Sequence, residues 1–149
     1  MKRISQTLLP GLYWIWTGLI LGVSFIATPV KFQAPNLSRS VALEIGKATF
    51  YLFNTIEWGA LFAIVILTAV SCNRWKKWMM AILLILLLSM QTFWILPALA
   101  LRADRVISGG NPSLGHDHLL YVITEGCKLL FTILSVWVCS QNEESARLS

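Results

Sequence analysis

Between His116 and Val138 the chain reads HDHLLYVITEGCKLLFTILSVWV, an apolar stretch holding an acid, Glu125, and a base, Lys128, three residues apart. His118, Tyr121, Glu125 and Lys128 stand at offsets 0, 3, 7 and 10, so a helix lines them along one face. Lys47, Asn54 and Glu57 share offsets 0, 7 and 10 in a second stretch. Gln91, Trp94, Ala98, Arg102 and Arg105 make a third stripe, and Thr17, Ser24, Thr28 and Lys31 a fourth. Ionisable groups set this way suit three kinds of chemistry. They can bind a polar or charged solute, exchange a proton at a carboxyl such as Glu125, or act as acid and base through His118, Tyr121 and Glu125.

The familiar catalytic signatures do not occur in the sequence. No Ser or Cys nucleophile adjoins a base, and neither a Walker loop nor a dinucleotide fingerprint is present. His116 and His118 could offer themselves to a metal, with Glu125 as a third ligand. Residues two apart on a helix point to different sides, however, and the chain has no other histidine. Solvated loop histidines are the simpler expectation, and no metal is assigned. The same two histidines are too close in sequence for axial haem ligation, and no Glu-x-x-His motif of a di-iron bundle occurs. No cofactor is specified. The three cysteines lack a C-x-x-C pattern, and Cys127 and Cys139 would lie about 18 Å apart along one helix, so all three are read as apolar filler.

The elements that must hold these stripes follow from composition. Over half the residues are hydrophobic and 13% are charged, against roughly 25% charged in soluble domains. Leu8–Val30, Phe50–Ser71, Trp78–Leu101 and Leu119–Cys139 each approach the ~20 residues that cross a bilayer core. The expected fold is an all-α membrane domain over residues 1–149, with four spans running up-down-up-down. The net charge of +5 is scattered among short loops with no basic run long enough to track phosphates, which argues for lipid headgroups and against nucleic acid. The N-terminal segment starts like a signal peptide, but its apolar stretch is about twice the usual length, so it reads as an uncleaved first span. The short loop CNRWKKW, with Arg74, Lys76 and Lys77, places itself and both termini in the cytoplasm of what reads as a bacterial inner membrane. Trp14, Trp16, Trp75, Trp78 and Trp137 fit interfacial anchors on that side.

On the opposite side, KFQAPNLSRSVALEIGKAT predicts a short interfacial helix running into the second span. RADRVISGGNPSLGHDH carries the breaker cluster SGGNP, with Asp117 as the expected N-cap of the last span. Pro29 and Pro97, near the outer ends of their spans, could bend those helices and widen a mouth between them. Gly11, Gly18 and Gly22 share a face suited to close helix contact, within the monomer or in a homodimer.

Depth brings the stripes together. Glu57 lies ten residues inside Lys47 and Lys128 ten inside His118, so both reach about 15 Å into the bilayer, and Gln91 reaches a similar level from its own helix. A charged side chain at that depth costs about 2.5–3.5 kcal/mol or more if it faces lipid. The polar faces must therefore turn inward. Glu57 is expected to pair with Lys128, and Glu125 to meet Arg102 or a neighbouring donor. Two readings follow. The layer is structural glue that sets helix register, or it is the floor of a cavity whose mouth is ringed by Lys31, Lys47, Arg102 and Arg105.

The segments GLILGVSFIATPVKF and LSRSVALEIGKATFYLFNTIEW, followed by a basic turn, a Leu-rich third span and His118 leading into the fourth, resemble the transmembrane-protein-205-like family of small four-span membrane proteins. The resemblance covers most of the chain and implies a four-helix membrane bundle. It implies no reaction. The chain differs from the human-type members in a shorter outer loop and in EGCK within the last span. Function is read as binding or transport of a small solute or ion by Asn54, Glu57, Gln91, Arg102, Arg105, His118, Tyr121, Glu125 and Lys128, with Arg102 and Arg105 attracting anions. The rivals are an assembly subunit that docks a membrane partner and an intramembrane enzyme acting on a lipid or quinone.

Overall fold

A computed structural model describes residues 2–31, 33–71, 75–110 and 116–147, with side chains described from Thr7 to Gln141. Phe32, Cys72, Arg74 and the Asn111–Pro112 part of the breaker cluster lie outside the described residues. The elements are α1 (Lys2–Ile20), a π-helical segment (Leu21–Ala27), α2 (Thr28–Lys31), α3 (Arg39–Val70), α4 (Trp75–Met90), a second π segment (Gln91–Ile95), α5 (Leu96–Ile107) and α6 (Asp117–Arg147). Among the described residues these make four apolar helices long enough to span a membrane: Thr7–Lys31, Arg39–Val70, Trp75–Ile107 and Asp117–Gln141. The protein is an all-α integral membrane protein, and its helices overrun the expected spans at most ends.

The start of α3 and the bends of the first and third spans have local causes. The Ser38 hydroxyl caps α3 by accepting from the Val41 N–H at 3.4 Å. The interfacial helix expected ahead of the second span is continuous with it, so α3 is a single rod of 32 residues. Asp117 is the first residue of α6 rather than its N-cap; its carboxylate is taken by Arg102 at 2.7 Å. Both prolines follow a π segment by two residues. Proline has no N–H and crowds the carbonyl four residues back, and the wider turn accommodates that loss. Thr28 donates its N–H to the Val23 carbonyl five residues back, and its hydroxyl reaches the same oxygen at 2.9 Å. The Leu96 N–H reaches the Gln91 carbonyl in the same manner.

The second π segment decides what faces inward. An extra residue in the turn rotates everything beyond it, so Gln91 and Ile95 are buried while Trp94 is 67% exposed. Trp94 therefore leaves the polar stripe drawn from regular helical spacing. Phe93 also points outward. Deleting Phe93 should be absorbed by converting the π turn to α geometry with both flanks in register. Deleting the outward-facing Leu86, within regular α4, should instead swing the flanking helix by about 100°. Size-exclusion profiles after detergent extraction should show a monodisperse peak for the first variant and aggregate for the second.

In the bundle, the first span packs against α3 and α6, and the third span against the same two helices. A core of Leu9, Tyr13, Ile20, Phe53, Leu61, Ile64, Leu84, Leu88 and Cys139 fills much of the interior. The outer surface is apolar, with Ile15, Leu52 and Phe62 each more than 60% exposed, as lipid contact requires. Gly11, Gly18 and Gly22 do not serve close packing inside the monomer, because a Cβ at any of them would meet no heavy atom within 4 Å.

Candidate functional site

One residue from each of three helices and two from the fourth meet in a buried layer. Glu57 of α3, Gln91 at the α4 boundary, and Glu125 and Lys128 of α6 are each 0% exposed, as is Trp16 of α1. The Lys128 ammonium bridges the two acids, pairing with Glu57 Oε1 and lying 2.9 Å from Glu125 Oε1. The Trp16 indole N–H donates to Glu57 Oε1 at 3.0 Å, and the Gln91 amide donates to Glu125 Oε1 at 2.9 Å. Four helices are thus tied at one level. The i,i+3 placement of Glu125 and Lys128 puts both on the inner face of α6.

Each acid uses only one oxygen within this network. Glu57 Oε2, Glu125 Oε2 and Gln91 Oε1 are buried without a hydrogen-bond partner in the protein. The hydroxyls of Ser24 and Tyr121 are in the same condition. Tyr121 faces Ser24 and Glu125 without reaching hydrogen-bond geometry to either. Such atoms are uncommon in native interiors, and each costs about 1–3 kcal/mol when left unmet.

A family model described as "Domain of unknown function (DUF4149)" matches residues 11–105. The chain belongs to the DUF4149 family. No curated protein and no solved structure matches it. The matched stretch spans Trp16, Asn54, Glu57, Gln91, Arg102 and Arg105; Glu125 and Lys128 lie beyond it.

In this DUF4149 chain a partly open cavity of about 230 Å³ adjoins the layer, lined by Ser24, Thr28, Phe50, His118, Tyr121 and Glu125 among others. Glu125 belongs to both cavity and layer; Glu57 and Lys128 do not line the cavity. A smaller pocket of about 80 Å³ shares Thr28, Phe50 and His118 and adds Lys31, Gly46 and Lys47. Both pockets lie toward the bundle end that carries the 31–39 and 107–117 connections.

The remaining candidates sit elsewhere. Arg102 does not meet Glu125: it pairs with Asp117, and Glu125 instead takes Lys128 and Gln91. Lys47 pairs with Asp104 at 2.8 Å. Two of the four cations expected to ring a mouth are therefore neutralised by acids that the stripe pattern left out. Arg105 is exposed, and Lys31 lies over the Phe50 ring at 4.9 Å. Asn54 is buried but belongs to a separate network, accepting from the Thr92 hydroxyl at 3.1 Å while Trp58 donates to that same hydroxyl at 2.9 Å. His116 is exposed, and among the described residues no three His, Cys, Asp or Glu gather as a metal site.

Sequence reasoning missed Trp16, read as an interfacial anchor. Its signal was available, since Trp16 and Thr17 bracket the inner face that continues to Ile20 and Ser24, whereas Trp14 is 56% exposed. It also missed Thr92, whose side-chain partners Asn54 and Trp58 both lie in α3.

Proposed function

We propose that the protein binds a small solute or ion at the buried Glu57–Gln91–Glu125–Lys128 layer and passes it across the membrane. One observation carries this reading: acceptor oxygens of Glu57, Glu125 and Gln91 remain unmet in the interior, beside a cavity that Glu125 itself lines. Helix glue would be expected to meet its own hydrogen bonds, because a half-met polar network is less stable than an apolar one. A ligand that brings donors or positive charge completes the layer.

The short, basic connection between the second and third spans faces the cytoplasm with both termini, in a bacterial inner membrane, which sets the cavity toward the outer side. The glycines at positions 11, 18 and 22, unused inside the monomer, support a homodimer through the first span. Kinship with the transmembrane-protein-205-like family is proposed as well, on the segments GLILGVSFIATPVKF and LSRSVALEIGKATFYLFNTIEW that resemble it. A second reading, an enzyme acting on a lipid or quinone, is favoured by one fact: His118, Tyr121 and Glu125 line a single cavity. Turnover lost in His118→Ala while solute uptake persists would select it.

The test is uptake into proteoliposomes, with sodium, methylammonium, acetate and glycerol as probes. At least one should enter faster than into empty vesicles, and Glu125→Gln should lower that rate at least tenfold. Rates equal to those of empty vesicles for every probe, or rates indifferent to Glu125, would overturn transport.

A further inference from the structure

The layer holds two carboxyl groups and one ammonium, with side chains at most 1% exposed. The other ionisable groups of the surrounding helices stand away from it. Lys31 of the first span rests on Phe50, seven residues and about 10 Å from Glu57 along α3. Tyr13, three residues before Trp16, faces Ser135 and Cys139. In the third span Lys77 is fourteen residues, about 21 Å, from Gln91, and Arg102 is held by Asp117. On α6 the half-buried Cys127 precedes Lys128, and His118 is seven residues, about 10 Å, from Glu125. Tyr121 faces Glu125 and, as a phenol, adds no charge near neutral pH. With both acids ionised the layer therefore carries one net negative charge, in a region where uncompensated charge is expelled.

The unmet atoms say the same in a different way. The carboxylate oxygens of Glu57 and Glu125 and the amide oxygen of Gln91 accept only. Beside Glu125 in the cavity stand two more oxygens, those of Ser24 and Tyr121, also buried and unpartnered. Such surroundings suit a proton or a small monovalent cation with oxygen ligands, and repel an anion. Arg102 and Arg105 do not line this cavity.

Resting on the solute-binding reading above, we infer that the layer takes one positive charge at a time through the cavity, and that a monovalent cation entering it displaces a proton from Glu125. Glu125 is the exchanging acid because it alone of the two lines the cavity, whereas Glu57 is held between Trp16 and Lys128. In the step, the Glu125 O–H bond breaks, the proton leaves to water through the cavity, and the cation takes its place against the carboxylate. Charge is conserved: one enters and one leaves. Neither species binds well on top of the other, since both together would give the buried layer a net positive charge.

Calorimetry on the purified full chain in detergent, in buffers of different ionisation enthalpy, reads binding and proton release together. The probes are sodium, potassium and methylammonium chlorides. At least one should bind saturably and release one proton per site, with affinity rising about tenfold per pH unit while the carboxyl is protonated. Glu125→Gln should abolish both signals. Glu57→Gln, which removes the same excess charge from another helix, should abolish proton release and gives a second check if the first variant folds poorly. Saturable cation binding without proton release would overturn the exchange and leave solute binding standing. Glu125-dependent uptake of acetate or glycerol, with no cation response, would overturn the cation class alone. Silence from every probe in both assays would overturn both readings.

Discussion

Replacing Lys128 with methionine should destabilise the protein by about 3–5 kcal/mol, the range for removing one partner of a buried ion pair. The reason is what remains. Glu57 and Glu125 each lose the ammonium they share and confront one another across the bundle with only the Trp16 and Gln91 donors to hold them. The folded state then survives only by taking up protons, so the deficit should shrink in acid. Adding Glu57→Gln and Glu125→Gln to the methionine variant should restore most of the loss, because no charge is then stranded and the shapes are nearly kept. Thermal unfolding in detergent, followed by near-ultraviolet circular dichroism, provides the comparison across this cycle. A methionine variant as stable as the parent would mean that Lys128 does not hold the layer, and the charge reading would fail with it.

The large features of this molecule were legible because they rest on period and length. Four apolar runs near twenty residues predict four spans, and the observed helices cover all of them but Ser71. The meeting of Glu57 with Lys128 followed from equal depth, since both lie ten residues inside a basic or histidine residue at the helix mouth. What regular spacing could not show was the π turn. One extra residue at Gln91–Ile95 removes Trp94 from the inner face and breaks the stripe that ran on to Arg105. The Lys47–Asp104 and Arg102–Asp117 ion pairs were hidden for a different reason. Asp104 and Asp117 sit on separate helices at the mouth, and nothing in either stretch names its partner. Tryptophan is ambiguous by nature, as an amphipathic ring serves an interface or a buried carboxylate equally well. Only the tertiary neighbour decides, as Trp14 and Trp16 show two residues apart.

The charge reading can also be tested by supplying the charge instead of removing its partners. Gln91 already points its amide at Glu125 Oε1, and its own oxygen is one of the unmet acceptors. A lysine there would place a permanent ammonium beside Glu125 and balance two acids with two bases. Gln91→Lys should therefore fold at least as well as the parent, because it offsets a buried charge rather than creating one. It should also behave as though a cation were always bound, with monovalent-cation binding weakened at least a hundredfold and proton release lost. That change corresponds to about 2.7 kcal/mol of binding free energy. A purely structural layer predicts otherwise. If the Glu57–Glu125–Lys128 group only sets helix register, then cation binding, should any occur, lies elsewhere and a lysine at position 91 leaves it untouched. Calorimetric titration of the folded Gln91→Lys protein with the best-binding probe distinguishes the two, and unaltered affinity would remove the layer from the binding site.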